Sequence, residues 1–139
     1  MYEHILVAVD GSEHSDKTLG QAAALARTFQ SGRTLVHAYP STVDIVGSSD
    51  YTSVLARRTE RGQQVLDEMA AKLGGDGPKA ETELCEGPAA DAVLDKAQEL
   101  DAALIVLGSR GLGMVERWLL GSVGHKVCHL AHCPVLLVR

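Results

Sequence analysis

Apolar positions along this chain follow two rhythms, and the two alternate. In residues 4–9 the run Ile5-Leu6-Val7-Ala8-Val9 is apolar at every position, and the same holds for 102–107 and 135–138. Short continuous runs of this kind predict strands buried on both faces. Between them, apolar residues recur at three- and four-residue spacing, which predicts amphipathic helices. Leu19, Ala22, Ala23, Ala26 and Phe29 share one helical face, and Ser12 or Ser15 is the expected cap of that helix. A second strand, 33–39, is stopped by Pro40. A long helix over 54–73 ends at Gly74-Gly75, and a weakly alternating strand follows over 79–85. Gly87-Pro88 opens a helix whose core stripe is Ala90, Val93, Leu94 and Ala97. The last helix covers 122–131 and leads to the final strand, 135–138. Strands that alternate with helices of ten or more residues predict right-handed βαβ units, hence an α/β fold with a doubly wound parallel sheet between two helical layers. The polar stretch 41–53 breaks the pattern. A loop of that length is expected to serve function, here by folding over a ligand or an interface.

The chemistry concentrates after the strand 102–107. Gly108-Ser109-Arg110-Gly111 is followed by nine residues, 112–120, and then by Gly121-Ser122 at the start of a helix. Glycines let successive backbone N–H groups point into one concavity. A helix start adds unpaired N–H groups and a partial positive charge. Ser122, as the expected N-cap, adds a hydroxyl. Together these make a phosphate cradle, although the glycines alone would serve equally well as turns. Asp10 closes the first strand, where its ordinary role is to cap the following turn or helix.

The spacing G-x-x-G, nine residues, G-[S/T] resembles the ATP-binding signature of the universal stress protein family, with Gly108, Gly111, Gly121 and Ser122 on its fixed positions. Ile5 to Ser12, Gly87-Pro88-Ala89 and Cys133 to Val138 are similar to the family's flanking segments, so the resemblance runs from Glu3 to Arg139. It implies a single domain over 1–139 and a five-stranded sheet of order 3-2-1-4-5, Rossmann-like and akin to adenine nucleotide alpha hydrolases. That order puts a switch point between strands one and four, and ligands bind at the carboxyl ends of strands there. It further implies ATP as the ligand, with Mg²⁺ held through the phosphates. Ala8 and Val9 fall on positions lining the adenine, Asp10 on a ribose or adenine contact, and Ala38 on a position whose backbone faces the base. Leu107, Gly108, Gly111, Gly121, Ser122, Val123 and Gly124 surround the phosphates by the same comparison. Arg110 lies inside the loop, where it either neutralises phosphate or is simply solvated. Family members commonly pair through the last strand, and that strand would be an exposed edge here, so a homodimer is expected.

Composition narrows the choices. The 139 residues suit one domain with a real core. Thirteen Lys and Arg against 18 Asp and Glu give a net charge of −5, which argues against nucleic acid as the main partner. No apolar run approaches a membrane span, and no signal peptide is visible. Cys85, Cys128 and Cys133 are too few and scattered for a disulfide framework. A cytoplasmic location is expected.

No G-x-x-x-x-G-K-[ST] and no G-x-G-x-x-G is present. No general base or arginine finger is placed, so no catalytic residue is assigned and enzymatic activity stays an open question. The expected role is a nucleotide-dependent stress-response regulator. The rivals are a slow ATPase or self-phosphorylating enzyme, and a binder of another adenine nucleotide such as cyclic AMP. Near the end, His125, His129 and His132 fall on one helical stripe, opposite Val123, Val127 and Leu130. The apolar side is expected to face the sheet and the histidines solvent. With Cys128 at the stripe's edge and Cys133 beyond the helix, the spacing fits no closed zinc site, so no metal ligands are assigned. Weak surface metal binding or a response to pH is left open.

Overall fold

The computed structural model describes residues 1–73, 79–109 and 120–139. Its elements run β1 (His4–Ala8), α1 (Ser15–Phe29), β2 (Gly32–Tyr39), a 3-10 turn (Val43–Ile45), α2 (Tyr51–Leu73), β3 (Glu81–Glu86), α3 (Ala89–Glu99), β4 (Leu104–Gly108), α4 (Ser122–Leu130) and β5 (Val135–Val138). The five strands form one sheet of order β3-β2-β1-β4-β5, with every neighbouring pair parallel. The doubly wound order expected above is therefore present. β1 and β4 lie side by side, with Ile5 opposite Leu104 and Ala8 opposite Leu107.

Period-two geometry divides the apolar runs between two cores. Ile5, Val7, Leu35, Leu104 and Val106 pack under α1 and α2, against Leu19, Ala22, Ala26, Leu66, Met69 and Leu73. Leu6, Val36, Ile105 and Leu107 pack under α3 and α4, against Ala90, Val93, Ala97 and Val127. Because both faces of the central strands are covered, they read as continuous apolar runs rather than as alternating ones.

Several boundaries differ from the sequence reading. Neither Ser12 nor Ser15 caps α1. The N-cap is His14, which makes no side-chain cap hydrogen bond, and Ser15 is the first helical residue, with its hydroxyl turned to Asp10. Phe29 leaves the core face and stacks edge-on against Tyr2, ring centroids 5.1 Å apart. α2 starts three residues before position 54, because Ser48, Asp50 and Ser53 build a capping turn: Ser48 Oγ accepts from the Asp50 amide, and the Ser53 hydroxyl donates to the Asp50 carbonyl. The glycines expected to stop α2 lie outside the described residues. Leu130 is 62% exposed, because α4 ends there instead of carrying its apolar side onward.

The 41–53 stretch is tied to β3 and α2, and none of its residues lines the cavity at the ends of β1 and β4. The Thr42 amide and hydroxyl both donate to Glu86, the amide at 2.8 Å. Arg58 donates to the Ser41 carbonyl at 2.7 Å and pairs with Asp44. Thr42's two hydrogen bonds, the side-chain one first, hold the Glu86 carboxyl below its ordinary range. No helix among the described residues is long and apolar enough to cross a membrane.

Candidate functional site

The carboxyl ends of β1 and β4 open into a cavity of about 310 Å³, at the lower end of the range for small-molecule sites. Its walls differ in character. One is apolar: Ala8, Val36, Ala38 and Leu107 come from the strand ends, Ala89 and Val93 from α3, and Val123 from α4. The others are polar, built from the β1–α1 turn (Asp10, Ser12, His14), from the first turn of α1 (Ser15, Thr18) and from the strand and helix that flank the glycine stretch (Gly108, Ser109, Gly121, Ser122, Gly124).

The β1–α1 turn is held by its own side chains. Asp10 Oδ1 accepts from the Ser12 amide at 2.9 Å and from the Ser15 hydroxyl at 3.1 Å. Gly11 sits at φ +80°, a left-handed conformation that L side chains rarely adopt, and an added Cβ would stand 3.0 Å from Val65 Cγ1. The end of β1 is fixed to β2 twice, by the Val9 amide to the Val36 carbonyl at 3.0 Å and by His37 Nδ1 to the Val9 carbonyl at 2.8 Å. A carbonyl only accepts, so His37 carries a proton on Nδ1. Ser12 Oγ is buried at the cavity without a hydrogen-bond partner among the described residues. An orphaned hydroxyl in a cavity wall is what a polar ligand would satisfy.

The α4 side is built the opposite way. The Ser109 amide donates to the Val138 carbonyl and the Gly121 amide to the Ser109 carbonyl, both at 2.8 Å, and these bonds bring the start of α4 back to the end of β4. Gly121, not Ser122, is the N-cap, and among the described residues no side chain caps the helix; Ser122 is the first helical residue, and it is exposed. The first-turn amides of Ser122, Val123 and Gly124 have no intrahelical acceptor, by the geometry of any α-helix. Gly124 also has a packing role. A Cβ there would lie 3.1 Å from Leu120 Cδ1 and 3.3 Å from Leu137 Cδ2, so its small size seats the first turn of α4 on β5.

Of the residues expected at the site, Ala8, Val9, Asp10, Ala38, Leu107, Gly108, Gly121, Ser122, Val123 and Gly124 all line this one cavity. Arg110 and Gly111 lie outside the described residues. The sequence reading missed Ser12, His14, Ser15, Thr18, Val36, Ser109, Ala89 and Val93 as lining residues. Ser109 was within reach, since it stands between two residues of the glycine motif. Ala89 was within reach through the Gly87-Pro88-Ala89 segment, whereas Val93 had no local signal beyond its place in the α3 core stripe. Cys85 and Cys133 stand away from the cavity lining, with thiols pushed up chiefly by burial, while Cys128 is exposed.

The model of the universal stress protein family matches residues 1–139. The chain belongs to that family. A universal stress protein of Thermus aquaticus is 40% identical over 139 residues, with both chains covered in full. Among solved structures, a universal stress protein in complex with cAMP superposes with a TM-score of 0.77 at 25% identity, covering 99% of this chain and 97% of the other. The universal stress protein from Archaeoglobus fulgidus in complex with dAMP gives a TM-score of 0.71 at 26% identity, covering 99% and 98%. In this universal stress protein the glycine residues of the family signature that are described frame the polar side of the crevice.

Proposed function

We propose that this chain is a single-domain, ATP-binding universal stress protein that acts as a nucleotide-dependent regulator in the cytoplasm. The observation that carries the reading is the meeting, in one crevice, of an apolar wall with a helix start that no side chain caps among the described residues. The base would lie against Ala38, Val93, Leu107 and Val123. Asp10, with Oδ1 already engaged by its own turn, would offer Oδ2 to a ribose hydroxyl. The phosphates would take the amides at the start of α4 and the backbone at Gly108. The polar and apolar walls fit the group, and the orphaned Ser12 hydroxyl gains a partner from it. Mg²⁺ would arrive with the phosphates and be held through them. The negative charge of Asp10 favours the ribose end of the ligand and disfavours the phosphate end, which orients the nucleotide.

Adenine nucleotides bound by the two related structures support the ligand class. The complex with cAMP supports a second reading, in which a cyclic nucleotide is the preferred ligand. We also propose that two copies pair through β5, whose four residues are all only half-buried at the sheet edge. The test begins with chromatography of nucleotide released from freshly purified protein, followed by titration of the stripped chain with ATP and cAMP in competition. About one adenine nucleotide per chain, with ATP displacing cAMP, is the expected result. No binding of either at millimolar concentration would overturn the proposal, and preference for cAMP would replace it with the second reading.

A further inference from the structure

Away from the crevice, α4 carries two histidines whose geometry has no part in nucleotide binding. His125 and His129 are four residues apart on one helical face, and both are exposed. Their Nε2 atoms stand 3.2 Å apart, with ring centroids 4.4 Å apart at an interplanar angle of 68°. Two Zn–N bonds of about 2.0–2.1 Å at the tetrahedral angle put their nitrogens about 3.3–3.4 Å apart, whereas a right-angled pair would bring them to about 2.9 Å. The observed separation is nearer the tetrahedral edge. The neighbouring cation does not oppose a metal, because Lys126 is drawn to Asp91 of α3 at 2.6 Å.

We propose that His125 and His129 form a two-histidine Zn²⁺ site on the outer face of α4. With the ion bound, both rings present Nε2 to it and carry their proton on Nδ1, so the ring that donates through Nε2 in the free chain changes tautomer on binding. Without metal, one ring N–H donates to the other across the 3.2 Å contact, so the site is already closed to its working width. No group of three or more His, Cys, Asp or Glu side chains is arranged to hold an ion among the described residues, so the chain supplies two ligands and water completes the tetrahedron. Bridging i and i+4 staples one turn of a nine-residue helix, and a ligand bound only to the folded chain raises its stability.

The test is titration of the full chain with Zn²⁺ alone, followed by calorimetry, together with thermal unfolding at each metal concentration. One ion per chain in the micromolar range is expected, with a melting temperature that rises with Zn²⁺. His125→Ala and His129→Ala should each weaken binding at least about tenfold, since each leaves a single imidazole in place of a chelate. His132→Ala and Cys128→Ser should leave the affinity unchanged. All four positions are exposed or lie beyond the helix, and far-UV circular dichroism confirms that each variant is folded. Millimolar binding by the unaltered chain, an unchanged affinity in either alanine variant at 125 or 129, or loss that follows Cys128 or His132 would overturn the site.

Discussion

Two turns face each other across the cavity, and they solve the same backbone problem in opposite ways. The turn after β1 is held by its own side chain and leaves one hydroxyl over: Asp10 takes the Ser12 amide and the Ser15 hydroxyl, Gly11 supplies the left-handed step that makes this geometry reachable, and Ser12 Oγ stays without a partner among the described residues. The start of α4 has Gly121 as its N-cap, and no side chain caps it among the described residues. Glycine as the N-cap gives up only a few tenths of a kcal/mol relative to a side-chain cap, so leaving these amides open costs the fold little. The first turn is built for rigidity and negative charge. The second is built for unsatisfied donors. A nucleotide is complementary to the pair, with hydroxyls for one turn and phosphates for the other.

The apolar wall between the turns gives the largest expected effect. Ala38→Phe would fill the base end, and the affinity for ATP and for adenosine should fall together by at least about tenfold, or 1.4 kcal/mol, in titration calorimetry. A loss confined to ATP would place the base elsewhere. The rigidity of the first turn is tested by Gly11→Ala. A Cβ at φ +80° costs about 1–2 kcal/mol, and Val65 stands in its way, so denaturant unfolding should show a loss of that size. Unchanged stability would mean that the turn is not strained by side chains at all. Ser15→Ala removes one of the two donors to Asp10 inside a buried site and should cost about 1 kcal/mol of stability, with a smaller loss of ATP affinity as the carboxylate loses its fixed orientation.

The smallest effect concerns acid. The Glu86 carboxyl is held below its ordinary 4.5 by Thr42, so its contribution to stability is complete above pH 4.5 and fades as pH falls through the lower folded-state value. Amide hydrogen exchange around Thr42 should accelerate in that acid window, while exchange in the cores under α1 and α3 should not. Equal protection of Thr42 at neutral and acid pH would show that the clamp does not depend on the carboxylate.

Much of this fold was legible in the order of residues. The runs at 4–9 and 102–107 are apolar on every position because both of their faces are covered, and that pattern alone marks central parallel strands. The spacing of Gly108, Gly121 and Ser122 marked one wall of the cavity. What stayed hidden depends on distance in space rather than along the chain. Val93 has no feature to distinguish it from the other residues of the α3 core stripe, Ala89 was noted only within the Gly87-Pro88-Ala89 segment, and the packing of α3 brings both to the crevice. The 41–53 stretch was expected to fold over a ligand or an interface, because nothing nearby in sequence showed that Thr42 is anchored to Glu86, 44 residues on. Ser122 looked like a cap because serine usually is one, and the helix begins one residue earlier.

The most direct test uses that residue. Ser122→Asp places a carboxylate in the first turn of α4, where it favours the helix by about 0.3–1 kcal/mol and competes with any phosphate for the same amides. Stripped protein and the variant are titrated in parallel with ATP and with adenosine. The expected result is a variant at least as stable as the parent that keeps adenosine affinity and loses ATP affinity by about tenfold or more. Equal ATP affinity in the two proteins would contradict the account, because the phosphates would then lie away from the start of α4.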